Sequence, residues 1–319
     1  MVHRMLTRGF FGAFFAPLLA VFLLSSVAQA FPAFKQAVAE AAARDADVAT
    51  FYRESAYEPV WTGDGDSFVA RRKALISALG RVEDHALPAE RYSTDQLVAQ
   101  MAGARSVRDL GMVEVALTKA YLRYARDINS GILVPSRVDS GIVREIKRRD
   151  RTELIQSFAA AEDPKAFLRS LAPQTQEYTR LMKEKLRLAR LIASGGWGKT
   201  VPVAKLEPGK TGDSVIALRD RLMRMGFMQR SATAQYDRDL EKAVQAFQIA
   251  HGLESDGVAG KGTITEINVS AEQRLKSIMV AMERERWLTR EIVGREILVN
   301  LTDFTAKVID DGKLTFRTR

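Results

Sequence analysis

Side chains able to do covalent chemistry are few in this 319-residue chain, and their spacing suits none of the common reactions. There is no cysteine, which rules out a thiolate nucleophile and any disulfide. The three histidines are His3 beside Arg4 near the N-terminus, His85 shortly before Leu87-Pro88, and His251 beside Gly252. No two histidines stand at i, i+4 and no H-E-x-x-H occurs, so the spacing assigns no metal ligands. His251, at the expected end of a helix, reads as a capping residue. Glu283 and Glu285 are two positions apart on a helical pattern and point different ways, which disqualifies them as the paired carboxylates of a glycosidase. The run Glu283-Arg284-Glu285-Arg286 reads instead as a solvated or domain-contacting face. Gly212-Asp213-Ser214 offers a hydroxyl, but Asp213 or Ser214 is better explained as the N-cap of the helix that follows. With no G-x-S-x-G, S-x-x-K or Walker loop, no catalytic residue, metal or cofactor is assigned.

Binding chemistry is more plausible than reaction chemistry. Gln248, Asp256, Lys261 and Thr263 are polar, gather around one turn, and suit hydrogen bonding to peptide amides or carboxylates, with Lys261 adding charge. The elements that must position them are legible in Tyr236–Ser270. Asp237 stands at an N-cap position, and Leu240, Val244 and Phe247 start an apolar stripe expected to run through Ile249. His251-Gly252 closes that helix, Asp256-Gly257 and Gly260 make a compact loop, and Thr263–Asn268 begins another helix. Upstream, Val215, Leu218, Leu222 and Met225 mark a helical face within Leu206–Gly226. Three short helices would share one small core.

The pattern LxxGxxGDxVxxLRxRLxxxG followed by AVxAFQxxHGLxxDGVxGxxT resembles the peptidoglycan-binding domain found beside many bacterial cell-wall enzymes. That resemblance implies peptidoglycan as partner and a binding domain over 205–270. Further N-terminal, YxxxxYxPVW in Phe51–Trp61 and HxLPxxRY in His85–Tyr92 resemble the scaffold domain of the larger YkuD-type L,D-transpeptidases. RxxxIxxxMERxRWL and REILVNLxDF are similar to the segment leading into the catalytic domain of that family, which usually has Asn at the position of Ala281 and Pro at that of Thr289. In the family a Cys, activated by a His, attacks a stem-peptide carbonyl. The sequence reaches Arg319 before any such Cys, so the resemblance implies an exported peptidoglycan-binding scaffold, non-catalytic as it stands. The alternative it implies is the N-terminal part of an L,D-transpeptidase that cross-links stem peptides.

Arg4 and Arg8, an apolar run from Phe10 to Val27 and Ala28-Gln29-Ala30 have the form of a secretory signal cut after Ala30, which places the protein in the periplasm. Left uncleaved, the same run would tie it to the inner membrane. Loss of Arg4 and Arg8 would reduce the formal charge from +9 to +7. For an exported basic protein, nucleic acid is a poor partner and an anionic envelope polymer or membrane surface a better one. Trp61, Trp197 and Trp287 read as packing residues before sugar platforms.

The expected fold is mainly α. A signal peptide (1–30) precedes a helical scaffold domain (31–198), the three-helix binding domain (205–270), a connecting helix (271–291) and a short β segment (292–319) read as the start of a catalytic domain. Within the scaffold, 31–50 is expected to be a marginal lead-in, with helices over 109–129, 144–158 and 178–192. The tail after Glu291 is expected to be disordered or badly packed, with Leu298, Phe304 and Phe316 uncovered.

Overall fold

The computed structural model describes residues 32–288, 294–300 and 304–318. The proposed signal and cleavage site lie outside the described residues. The fold is mainly α, with one small antiparallel sheet near the C-terminus.

Two compact units divide the chain. The first takes in the described residues up to Gly80, with Ala89–Ala125 and Arg149–Arg169. Residues 32–42 form α1, and α2 spans Ala46–Glu54 with Asp45 as its N-cap. This corrects the expectation of a marginal lead-in: Ala37, Val38, Ala42, Val48, Phe51 and Tyr52 are all buried. An Ala-rich helix needs no wide apolar stripe when its small residues let a neighbour approach closely, as the backbone does at Gly111, where an added Cβ would lie 2.7 Å from that of Ala37. Next come α3 (Asp66–Leu79), α4 (Thr94–Gly103), the long α5 (Val107–Ser130), whose residues up to Ala125 belong to this unit, α7 (Arg151–Ala159) and α8 (Pro164–Ser170), while the single turn α6 (Pro135–Val138) falls in the second unit. Trp61 stacks on Phe158 at 5.0 Å, and Phe158 on Tyr121 at 4.7 Å, forming the aromatic centre of this unit. The helix expected over 144–158 begins only at Arg151, where Asp150 accepts a hydrogen bond from the Glu153 N–H. Residues 144–150 have no regular structure, because nothing apolar in REIKRRD repeats at helical spacing.

The second unit comprises Arg81–Pro88, Arg126–Arg148 and the chain from Ser170 onward. Helix α9 (Gln176–Ala193) packs along α13 (Ala271–Trp287). Between them in sequence lie α10 (Asp213–Met225), α11 (Arg238–Ala250) and α12 (Lys261–Ile267). The sheet is a meander, β1 (Arg295–Asn300), β2 (Thr305–Asp310) and β3 (Lys313–Thr318), in that order. Where a disordered or badly packed tail is expected, the described residues form paired strands: β1 and β3 both pair with β2, and Asp311-Gly312, both at positive φ, forms the two-residue turn that suits a twisted hairpin. Ile297, Val299, Phe304, Leu314 and Phe316 are nevertheless exposed, while Leu298 is half-buried.

Candidate functional site

Helices α10, α11 and α12 enclose one core, built from Val215, Leu218 and Leu222 on the first, Leu240, Val244 and Phe247 on the second, and Ile264 and Ile267 on the third. Ile249 departs from the expected stripe and is 68% exposed, being two positions past Phe247 and so rotated off the buried face. Asp237 caps α11, accepting from the Leu240 N–H at 2.9 Å. The cap of α10 is Gly212 at φ 114°, with no side-chain cap bond, which corrects the assignment of that role to Asp213 or Ser214. Asp213 instead places a carboxylate in the positive first turn.

Two arginines of α10 are buried, which an apolar-stripe reading misses. Arg219 donates to Ser231 Oγ at 3.1 Å and the Gln235 carbonyl at 2.7 Å, and pairs with Asp237 at 3.0 Å. Arg221 donates to the carbonyls of Ile267, Val269 and Gly198. Five N–H donors in a planar fork suit such clusters of loop carbonyls, so these residues fasten the segments that flank the helices.

The turn after α11 brings together three of the four polar candidates. Gln248, 1% exposed, accepts from the Gly257 N–H at 3.0 Å. Its amide nitrogen donates to Asp256 Oδ1 at 2.9 Å, the Val258 carbonyl at 3.0 Å and Thr263 Oγ1 at 3.2 Å. Thr263 is buried too. The Val258 N–H and then the Gln248 amide hold the Asp256 carboxyl below its ordinary range. Asp256 and Lys261 remain on the surface, at the turn and at the first position of α12. Gly257, at φ 75°, admits no side chain: a Cβ there would lie 2.8 Å from Glu241 Cγ. His251 is the C-cap of α11, its Nδ1 2.8 Å from the Phe247 carbonyl and its ring stacked on Phe247 at 3.9 Å.

Glu283, Arg286 and Tyr178, all buried, form a lock with the half-buried His85 in this unit. Glu283 accepts from the N–H groups of Ile132 (2.7 Å) and Leu133 (2.8 Å) and from the Trp287 indole (3.3 Å), and pairs with Arg286 at 2.9 Å. Arg286 donates to Tyr178 Oη at 2.9 Å and to the His85 carbonyl, and Tyr178 Oη lies 3.0 Å from His85 Nδ1. Burial, with the Arg286 cation adding to it, lowers the His85 pKa to about 4. Glu283 and Arg286 therefore hold chain segments together and are not a solvated face. Among the described residues, no group of three or more His, Cys, Asp or Glu is placed to hold a metal ion.

Residues 211–267 match the family model of a peptidoglycan binding domain. The chain carries a peptidoglycan-binding domain. Residues 46–184 match the family model of the Scaffold domain. The two together fit the N-terminal region of an L,D-transpeptidase. No curated protein matches the chain. Among the described residues, no helix is long and apolar enough to cross a membrane.

Proposed function

We propose that this is an exported protein that docks on peptidoglycan through residues 205–270, has no catalysis of its own, and presents residues 31–198 as a helical scaffold in the periplasm. The match of 211–267 to a peptidoglycan binding domain is the observation that carries this reading. Within the domain, Gln248 and Thr263 shape the turn, while Asp256 and Lys261, exposed beside it, contact ligand amides or charges. Pull-down of the mature chain on purified sacculi tests the reading. Retention above a control of equal charge is expected, and Lys261→Glu should reduce it by about threefold to tenfold, a loss of ~1 kcal/mol. Equal retention of protein and control overturns it.

The adjoining Scaffold match supports a second reading, in which these residues are the N-terminal region of an L,D-transpeptidase. A Ser-x-Gly-Cys coding segment following the Arg319 codon is the result expected from it. On either reading residues 1–30 are a secretory signal. N-terminal sequencing of the exported protein checks this: Phe31 as first residue is expected, and an intact Met1 would favour an inner-membrane tie.

A further inference from the structure

Residues 142–150, between α6 and α7, have no regular structure. The backbone is fastened as far as Val143, where the Ile142 N–H donates to the Asp139 carbonyl at 3.0 Å and the Val143 N–H to that of Gly141 at 3.1 Å. It is fastened again at Asp150, whose side chain caps α7 and whose carbonyl accepts from the Leu154 N–H. Between these points, no backbone N–H or carbonyl of residues 144–149 makes a hydrogen bond among the described residues. Arg144, Glu145, Lys147, Arg148 and Arg149 are exposed, and Ile146 is half-buried.

A run of free peptide groups is what an endoprotease needs, because it takes its substrate as an added strand and uses that backbone's own donors and acceptors. Side chains choose the enzyme. Lys147 and Arg148 stand before the Lys147–Arg148 and Arg148–Arg149 bonds, and a cation in that position suits an acidic specificity pocket. Cations in other irregular stretches lack this freedom. The peptide N–H after Arg105 donates to Asp109 Oδ2 at 2.8 Å, that after Lys205 to the Ala259 carbonyl at 2.9 Å, and that after Arg230 to Met223 Sδ at 3.3 Å. The Lys210 carbonyl accepts from the Tyr236 N–H at 2.7 Å. Cleavage at those positions requires local opening first.

A cut between Lys147 and Arg149 would leave both halves bound. In the first unit Phe158 stacks on Trp61 and on Tyr121, Tyr121 donates to the Leu154 carbonyl at 2.8 Å, and Arg151 pairs with Asp45 at 2.6 Å. In the second, Glu283 accepts from the Ile132 and Leu133 N–H groups, and Arg286 donates to the His85 carbonyl. Each unit is thus built from residues on both sides of the cut.

We propose that residues 144–149 are a processing site for a serine endoprotease with an acidic specificity pocket, and that the cut protein persists as a non-covalent two-chain form. Hydrolysis takes one water. The C–N bond breaks, the hydroxyl goes to the carbonyl carbon of Lys147 or Arg148, and the proton goes to the amine of the next residue. Such a cut needs no peptidoglycan, so its test is separate from that of docking.

The test is brief treatment of the folded mature chain with trypsin, followed by intact-mass spectrometry. Among the described residues, the first cuts are expected after Lys147 or Arg148, with the bonds after Arg105, Lys205, Lys210 and Arg230 intact. Lys147→Gln combined with Arg148→Gln should slow cleavage of the segment by about tenfold or more with unchanged Tm, since the backbone before Arg144 and after Arg149 is already hydrogen-bonded. The nicked protein should co-elute with the uncut chain on size exclusion yet give two fragments on a denaturing gel. Its urea midpoint should fall on dilution, which that of the uncut chain does not. Protein recovered from the producing cell should carry Arg148 or Arg149 as a second N-terminus. Earlier cleavage at any of the other named positions, or unslowed cleavage of the double variant, overturns the site. Separation of the fragments without denaturant overturns the two-chain form, and a single N-terminus in the recovered protein overturns processing in the cell.

Discussion

Glu114, fully buried, and His85, half-buried, show how a single polar side chain can govern stability. Glu114, fully buried on α5, accepts from the backbone N–H groups of Val60 (2.6 Å), Trp61 (3.1 Å) and Thr62 (2.9 Å), and from the hydroxyls of Tyr52 and Thr62 at 2.8 Å. Glu114→Ala would leave the three backbone N–H groups without that acceptor, while Tyr52 Oη keeps Thr118 Oγ1 at 2.6 Å, so a loss of about 3–5 kcal/mol is expected in urea unfolding. His85 sets a pH dependence. Its pKa is about 4 in the folded chain against 6.5 unfolded, so between those values the unfolded state binds more protons. The full contribution is present above pH 6.5 and is lost as pH falls toward 4, by at most ~3 kcal/mol for a shift of this size. Urea midpoints measured across that window should fall with pH in the wild type and flatten in His85→Gln.

At the scale of elements, α13 is held to the loop after α5 through Gly131. That residue sits at φ 82°, and a Cβ on it would lie 2.4 Å from Glu283 Oε1. Gly131→Ala is expected to cost about 2–4 kcal/mol, since it combines a left-handed backbone with a clash against the carboxylate that pairs with Arg286. Thermal unfolding followed by circular dichroism checks this, with Gly103→Ala, at an open position in α4, as the control. The sheet has a different balance. Strand β2 is paired on both sides, with a register shift at Val308/Ile309, yet exposed apolar side chains leave the sheet little burial, whereas Leu240, Val244 and Phe247 fix α11 in a closed core. Amides of Thr305–Asp310 should therefore exchange with solvent faster than those of Leu240–Phe247, although both are hydrogen-bonded.

For the whole molecule, the basic balance predicts that retention on sacculi weakens with salt. A decline between ~0.05 and 0.5 M sodium chloride is expected, levelling off where screening leaves only short-range contacts. The binding domain was the most legible part because its determinants are local. The Asp237 cap, the apolar positions of α10 and α11, and the Gly252 and Gly257 turns each act within a few residues of where they stand. Helices α1 and α7 were misjudged because their limits depend on neighbours: Ala-rich α1 is fixed by close packing, and α7 begins at a cap inside a charged run.

The amino-acid sequence alone determined the mainly helical class, the three-helix core, the turn that gathers Gln248, Asp256 and Thr263, and the absence of a thiol. Each follows from residue type and short-range spacing. Only the tertiary structure decided which polar residues became buried locks. Glu283 and Ile132 are 151 positions apart, and Glu114 and Val60 are 54 apart. Burial turns such pairs from solvated charges into obligatory hydrogen bonds, and burial depends on how distant segments pack, which no local pattern encodes.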